Sequence, residues 1–276
     1  MDYGALIFPT DKTIRPDTLA AALEAHGYES FWVAEHTHIP LSRRTPYPAG
    51  GDLPDFYTRT MDPFVALTAA ACASTHLKLG TGICLVNQHH PINMAKQAAS
   101  VDLLSGGRFL FGIGVGWNED EMEHHGVDPS KRRSSARERV LAVKELWTSE
   151  AAEFHGDHVN FSASMSYPKP VRTPPVLMGG SGGPITFKHI VEYCDGWMPI
   201  HGRTDPLEKI DLLRQMTEEA GRDSESIEIS IYGCPMDADI IARYEAAGVR
   251  RVIFWLPAIE ESAVLEAVKK GAALIR

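Results

Sequence analysis

The chain has 276 residues, 44% of them hydrophobic and 23% charged, so it buries a sizeable core, and its length suits a single eight-fold α/β barrel. A formal charge of −9 argues against a nucleic-acid partner, because phosphate binding needs a basic patch. No apolar run approaches the about 18 residues of a membrane span, and the first residues carry no basic lead of a signal peptide. The four cysteines (Cys72, Cys84, Cys194, Cys234) are scattered, start no zinc site, and read as reduced thiols of a cytoplasmic protein.

Short apolar runs then alternate with helical patterns. Residues 5–8 read as the first strand, and Pro16-Asp17-Thr18 opens a helix that ends near Gly27. The second strand covers 31–33. The stretch 35–60, rich in Pro, Gly and Tyr, is longer than ordinary connections and is expected to be functional. Asp62-Pro63 caps an Ala-rich helix, 77–81 is the third strand, and a helix over 94–104 ends in Ser105-Gly106-Gly107.

The central stretch 109–117, a short apolar run leading into Gly112-x-Gly114-x-Gly116-Trp117, is the fourth strand. Its glycine spacing is not that of a dinucleotide-binding turn, which wants the third glycine three positions after the second. Amphipathic helix follows to Trp147, with Lys131-Arg132-Arg133 as a solvated helix start. Residues 151–175 read as an inserted hairpin or extended loop. Strands five to eight fall at 176–178, 196–198, 227–232 and 252–255, separated by helices opening at Pro184, Pro206, Ala238 and Glu260. Eight strands alternating with about eight helices predict a (β/α)8 TIM barrel as one domain over 1–276, with an inserted segment between strands four and five; an open doubly wound sheet is the alternative.

In such a barrel the chemistry sits at the C-terminal ends of the strands. That rule gathers Glu35-His36, Gly82-Ile83, Gly114 to Trp117, Gly179 to Gly183, and His201. The run Gly179-Gly180-Ser181-Gly182-Gly183 lies before a helix that opens on Pro184, where free amide groups and the helix dipole suit an anion such as a phosphate. Glu35-His36-x-His38 invites a metal reading, but the barrel metal sites it resembles need further ligands after later strands and an acid after strand eight, where the chain reads Phe254-Trp255-Leu256-Pro257. No metal is therefore expected. His36 is read as a hydrogen-bond donor or general acid near a cofactor, with a histidine that only pins the loop as the alternative. His89-His90, His124-His125 and His155 to His158 read as loop residues.

Taken together, Phe31-Trp32-Val33-Ala34-Glu35-His36, Gly80-Thr81-Gly82-Ile83, His90-Pro91-x2-Met94-Ala95-Lys96-Gln97, Leu104-Ser105-Gly106-Gly107-Arg108, Gly112-x-Gly-x-Gly-Trp117-Asn118-Glu119, and Asp195-Gly196-Trp197 resemble the bacterial luciferase-like superfamily, most closely the branch that uses the deazaflavin coenzyme F420. The resemblance implies a flavin-like ring over the strand ends, a cis peptide at Gly82-Ile83 behind it, and a phosphate loop at Gly179 to Gly183. It also implies His36 as the catalytic residue, with Glu35, Val115, Gly116 and Trp117 beside the cofactor. Relatives that oxidise a sugar phosphate place an acid–His pair after strand two and a Glu after strand four; Glu35-His36 matches the first, whereas Trp117 stands at the second and removes that acid. The activity implied is hydride transfer between F420 and a small organic substrate, with an FMN-dependent monooxygenase as the alternative, and the family habit implies a homodimer.

Overall fold

Six consecutive buried residues, Phe-Leu-Phe-Gly-Ile-Gly, form one strand of this chain, a pattern that only a strand covered on both faces sustains. The computed structural model describes residues 1–203 and 205–275. Its strands are β1 (Asp2–Ile7), β2 (Ser30–Val33), β3 (Lys78–Thr81), β4 (Cys84–Leu85), β5 (Phe109–Gly114), β6 (Ala152–His155), β7 (Asn160–Ser164), β8 (Val176–Gly179), β9 (Gly196–Met198), β10 (Glu228–Cys234) and β11 (Arg251–Trp255). β1 pairs with both β2 and β11, and β3 pairs with β5, so β1, β2, β3, β5, β8, β9, β10 and β11 close into a parallel barrel. The two-residue β4 runs beside the end of β5. An open sheet would leave two edges here, and the closure rules that alternative out.

The surrounding helices are α1 (Pro16–Ala25), α2 (Pro63–Cys72), α3 (Pro91–Ser105), α4 (Glu119–His124), α5 (Arg132–Thr148), α6 (Pro184–Tyr193), α7 (Leu207–Glu219), α8 (Ala238–Ala246) and α9 (Glu261–Ala272). Proline at the first turn starts α1, α2, α3 and α6, where its missing N–H costs nothing. For α3 this moves the start to Pro91, ahead of the expected 94. The fourth barrel strand stops at Gly114 rather than reaching Trp117, because Gly116 takes a φ of 84°, which extended backbone does not. The inserted segment is an antiparallel β6–β7 hairpin, and the long loop carries one short 3-10 turn, Asp55–Thr58. None of the described helices is long and apolar enough to cross a membrane.

Leu6, Trp32, Leu110, Leu177, Met198, Tyr232 and Ile253 fill the inside of the barrel, and a larger core joins its outer face to the helices. The large indole of Trp32 fits only because its neighbour across the β2–β3 pair is Gly80, where a Cβ would overlap the ring. Gly112 is tighter still: a Cβ there would run into the main-chain carbonyl of Thr81, which has no rotamer to move to. Gly112→Ala is expected to destabilise the chain by about 1–3 kcal/mol through overpacking. A urea melt reads this directly, and an unchanged midpoint would show that the two strands move apart freely.

At the other end of the barrel the guanidinium of Arg251, 1% exposed, meets Glu29 at 2.8 Å, Asp2 at 3.7 Å, and Glu228. Burial alone pushes the Glu29 carboxyl up, but the hydrogen bond and charge of Arg251 outweigh it and bring it to about 2. This cluster lies at the strand starts, the face of such barrels that serves stability, and leaves the opposite mouth for chemistry.

Candidate active site

Beyond the strand ends a separate apolar cluster forms around Phe8, Ala34 and Tyr57, with Tyr47, Leu53, Phe56 and Trp117 packed against it. It joins the ends of β1, β2 and β5 to the long loop, which therefore lies over the mouth as a lid. His36 sits in this cluster, 6% exposed, its ring 5.0 Å from that of Tyr57 and 5.7 Å from that of Trp117. Its Nδ1 lies 2.9 Å from Oε2 and 3.1 Å from Oε1 of Glu121, whose side chain is 1% exposed.

Glu121 is the acid that motif matching misses. Trp117 occupies the position after the fourth barrel strand, and the carboxylate arrives four residues later on α4, a helix capped by Asn118, which accepts from Glu121 N at 3.4 Å. The available signal was the capping Asn followed by three acids in the first turn. An ionised carboxylate is acceptor-only, so toward it Nδ1 of His36 is the donor and Nε2 stands outside the pair.

Glu35 points elsewhere. Its Oε2 accepts from Leu85 N at 2.6 Å and its Oε1 lies 2.6 Å from His89 Nε2, so both oxygens are committed to the segment that follows Ile83. Burial alone pushes the His89 imidazole down, but the hydrogen bond and charge of Glu35 outweigh it and leave it raised. Burial, reinforced by Glu35, also pushes the neighbouring Cys84 thiol well up. One donor atom each from Glu35, Cys84 and His89 lies within 4.8 Å of the others. His89 lies in a loop as expected, and there its largely buried ring, 11% exposed, pairs with Glu35. His124, by contrast, is corrected from a loop residue to the last residue of α4, with its ring stacked 5.1 Å from that of His38.

The Gly82–Ile83 peptide is cis. It is held from both sides: Tyr232 donates its hydroxyl proton to Gly82 O at 2.6 Å, and Gly82 N donates to Val33 O at 2.6 Å. Burial pushes the Tyr232 phenol up, so it stays the donor. The Ile83 side chain lies against Gly114 and Gly179, where a Cβ would press on it. The ends of β3, β5 and β8 thereby converge, and Val115, Gly116 and Trp117 follow half-buried along the rim.

From Gly179 the chain continues through Gly180, whose carbonyl accepts from Trp197 Nε1 at 2.9 Å, and an exposed Ser181. Gly182 and Gly183 take φ values of 77° and 115°. Gly183, the residue before α6, has no side chain with which to cap that helix, and the space where its Cβ would stand is open. The first amides of α6 therefore face a seat that fits a phosphate. His201 is engaged with Tyr244, Nδ1 to hydroxyl 2.8 Å, and lines a cavity of about 260 Å³ with Asp205 and Arg243.

A closed parallel barrel, a buried His–carboxylate pair under an aromatic lid and a glycine-rich loop before α6 define a (β/α)8-barrel protein with an enzyme's mouth. The chain belongs to the luciferase-like monooxygenase family, whose model matches residues 16–273. It is 41% identical over 261 residues, 93% of this chain and 92% of the relative, to an uncharacterised protein of Mycobacterium tuberculosis. Among solved structures, monooxygenase RslO1 from Streptomyces bottropensis superposes with a TM-score of 0.78 at 18% identity, covering 100% of this chain and 98% of that one. The coenzyme F420 dependent tetrahydromethanopterin reductase from Methanopyrus kandleri does so with 0.77 at 18% identity, covering 99% and 98%. The fold is that of the luciferase-like barrels, and the chain is an oxidoreductase or monooxygenase of that kind.

Proposed function

We propose that this protein is an F420-dependent oxidoreductase that moves a hydride between the deazaflavin and the carbonyl or carbinol carbon of a small organic substrate. The observation that carries this reading is the buried His36–Glu121 pair. A hydride delivered to a carbonyl carbon requires a proton on its oxygen, and removal of a hydride from a carbinol releases one. When bound, the deazaflavin supplies the hydride chemistry. Nε2 of His36 gives or takes the proton at the substrate oxygen, while Glu121 holds Nδ1–H and stabilises the imidazolium. Ile83, Gly114 and Gly179 support the ring, and the first amides of α6 with Gly182 and Gly183 hold the phosphate. Trp117, Tyr57 and Tyr47 keep water from the site.

The test is a titration of cofactor-free protein with F420 and, separately, with FMN, followed by Trp fluorescence, with Trp117→Phe reporting how much of the signal comes from the mouth. Micromolar binding of F420 with weak binding of FMN is expected. The reverse preference moves the assignment to an oxygen-using flavin monooxygenase, and binding of neither removes the cofactor. Gly183→Asp, which sets a carboxylate at the anion seat, is expected to weaken F420 binding by about tenfold or more, equivalent to about 1.4 kcal/mol. Unchanged affinity would place the phosphate elsewhere.

A further inference from the structure

Two neighbouring carboxylates of α4 are buried, Asp120 at 2% and Glu121 at 1% side-chain exposure, yet only Glu121 belongs to the proton path. Asp120 turns to the lid. Its Oδ2 accepts from Ser42 Oγ at 2.7 Å and from Arg44 N at 2.9 Å, and its Oδ1 takes the Arg44 guanidinium, which also reaches Glu123. The rest of the helix follows the same segment. Glu119 N donates to Thr45 Oγ1 at 3.1 Å, His124 Nδ1 lies 2.9 Å from His38 Nε2, and His125 Nε2 lies 2.9 Å from Thr37 Oγ1. Residues 36–45 of the lid are thus bonded along their length by the short helix that carries the partner of His36 and by His125, the residue after it.

We propose that α4 is the clasp of the lid and that Asp120 is a positioning residue for His36. The inference rests on the proton-transfer role given to His36 above. A six-residue helix has little stability of its own, so α4 and the lid segment order together. The bond from Arg44 N is donated by the main chain and is not lost to a rotamer change of Arg44; while Asp120 accepts it, the segment that begins at His36 lies against α4 and the imidazole meets Glu121. Freed from Asp120, the segment lifts, and His36 leaves its carboxylate and its cover of Tyr57 and Trp117 together.

The experiment uses the full-length, cofactor-free protein and two readouts: the rate of proteolytic nicking within 40–52, and the rate of His36 carbethoxylation by diethyl pyrocarbonate, followed by peptide mass. Asp120→Ala is expected to raise both by about tenfold or more, and Arg44→Ala to raise both by less, since its main-chain bond remains. The double variant should add little to Asp120→Ala. A lid that nicks faster while His36 reacts within twofold of wild type would reduce Asp120 to a loop anchor and overturn the proposal, as would no change in either rate. Should the Asp120 variants fail to fold, Ser42→Ala and Arg44→Ala carry the same two comparisons from the lid side. Neither readout needs the cofactor, so a failed F420 titration and a failed clasp are separate outcomes.

Discussion

His36→Ala is expected to lower the single-turnover rate of hydride transfer by about 10²–10⁴-fold with the fold intact, the range that loss of a positioned general acid or base costs. The expectation follows from geometry. The imidazole is buried against Tyr57 and Trp117, and a carboxylate 2.9 Å from Nδ1 leaves Nε2 as its working nitrogen. Because the proton moves in the transition state, the loss should fall on kcat and on kcat/KM alike, with F420 affinity little changed. Glu121→Gln keeps the size of the side chain and removes its charge, so the imidazolium loses its stabilising partner; a loss of about tenfold or more is expected, smaller than for His36→Ala. Single-turnover kinetics followed by deazaflavin absorbance measure both. Full activity of His36→Ala would remove the residue from the mechanism and return it to pinning the lid.

Glu35→Gln should instead act on stability, by about 1–3 kcal/mol, because it removes the charge with which the largely buried His89 imidazole, 11% exposed, is paired. The partner is His89, raised above its ordinary 6.5 by Glu35 in spite of burial. A group raised in the folded state contributes stability that is fully present below the unfolded value and is lost as pH rises through the folded one. The gap between wild type and Glu35→Gln is therefore expected to be largest at pH 6 and to shrink as pH rises through the raised value of His89, since the Gln amide oxygen can still accept from Leu85 N. Urea denaturation at pH 6 and at pH 9 measures it. If Glu35 touches the cofactor, as the family resemblance implies, the substitution would weaken F420 binding while leaving the urea midpoint in place.

The two residues are adjacent in sequence and their side chains do different work. Glu35 braces the segment after Ile83, and His36 enters the mouth. Adjacent residues leaving a strand face opposite ways, so one dipeptide supplies a brace for the segment after Ile83 and an imidazole at the mouth. The motif Glu35-His36 was legible as a unit; the division of labour within it was not.

From sequence alone came the eight apolar runs, the glycine turns and proline starts that bound them, and an inserted hairpin or extended loop, while the barrel rule gathered Gly82-Ile83, Gly114 and Gly179 at one end. These are local signals, since burial on both faces, positive φ and helix initiation are each written within a few residues. Only the tertiary structure decided who meets whom. Glu121 lies 85 positions from His36, His89 lies 54 from Glu35, and Asp120 lies 76 from Arg44. Such pairs depend on how the closed sheet brings separate connections over one mouth, and a charged side chain on a polar-looking turn looks alike in sequence whether it ends in water or in a buried pair.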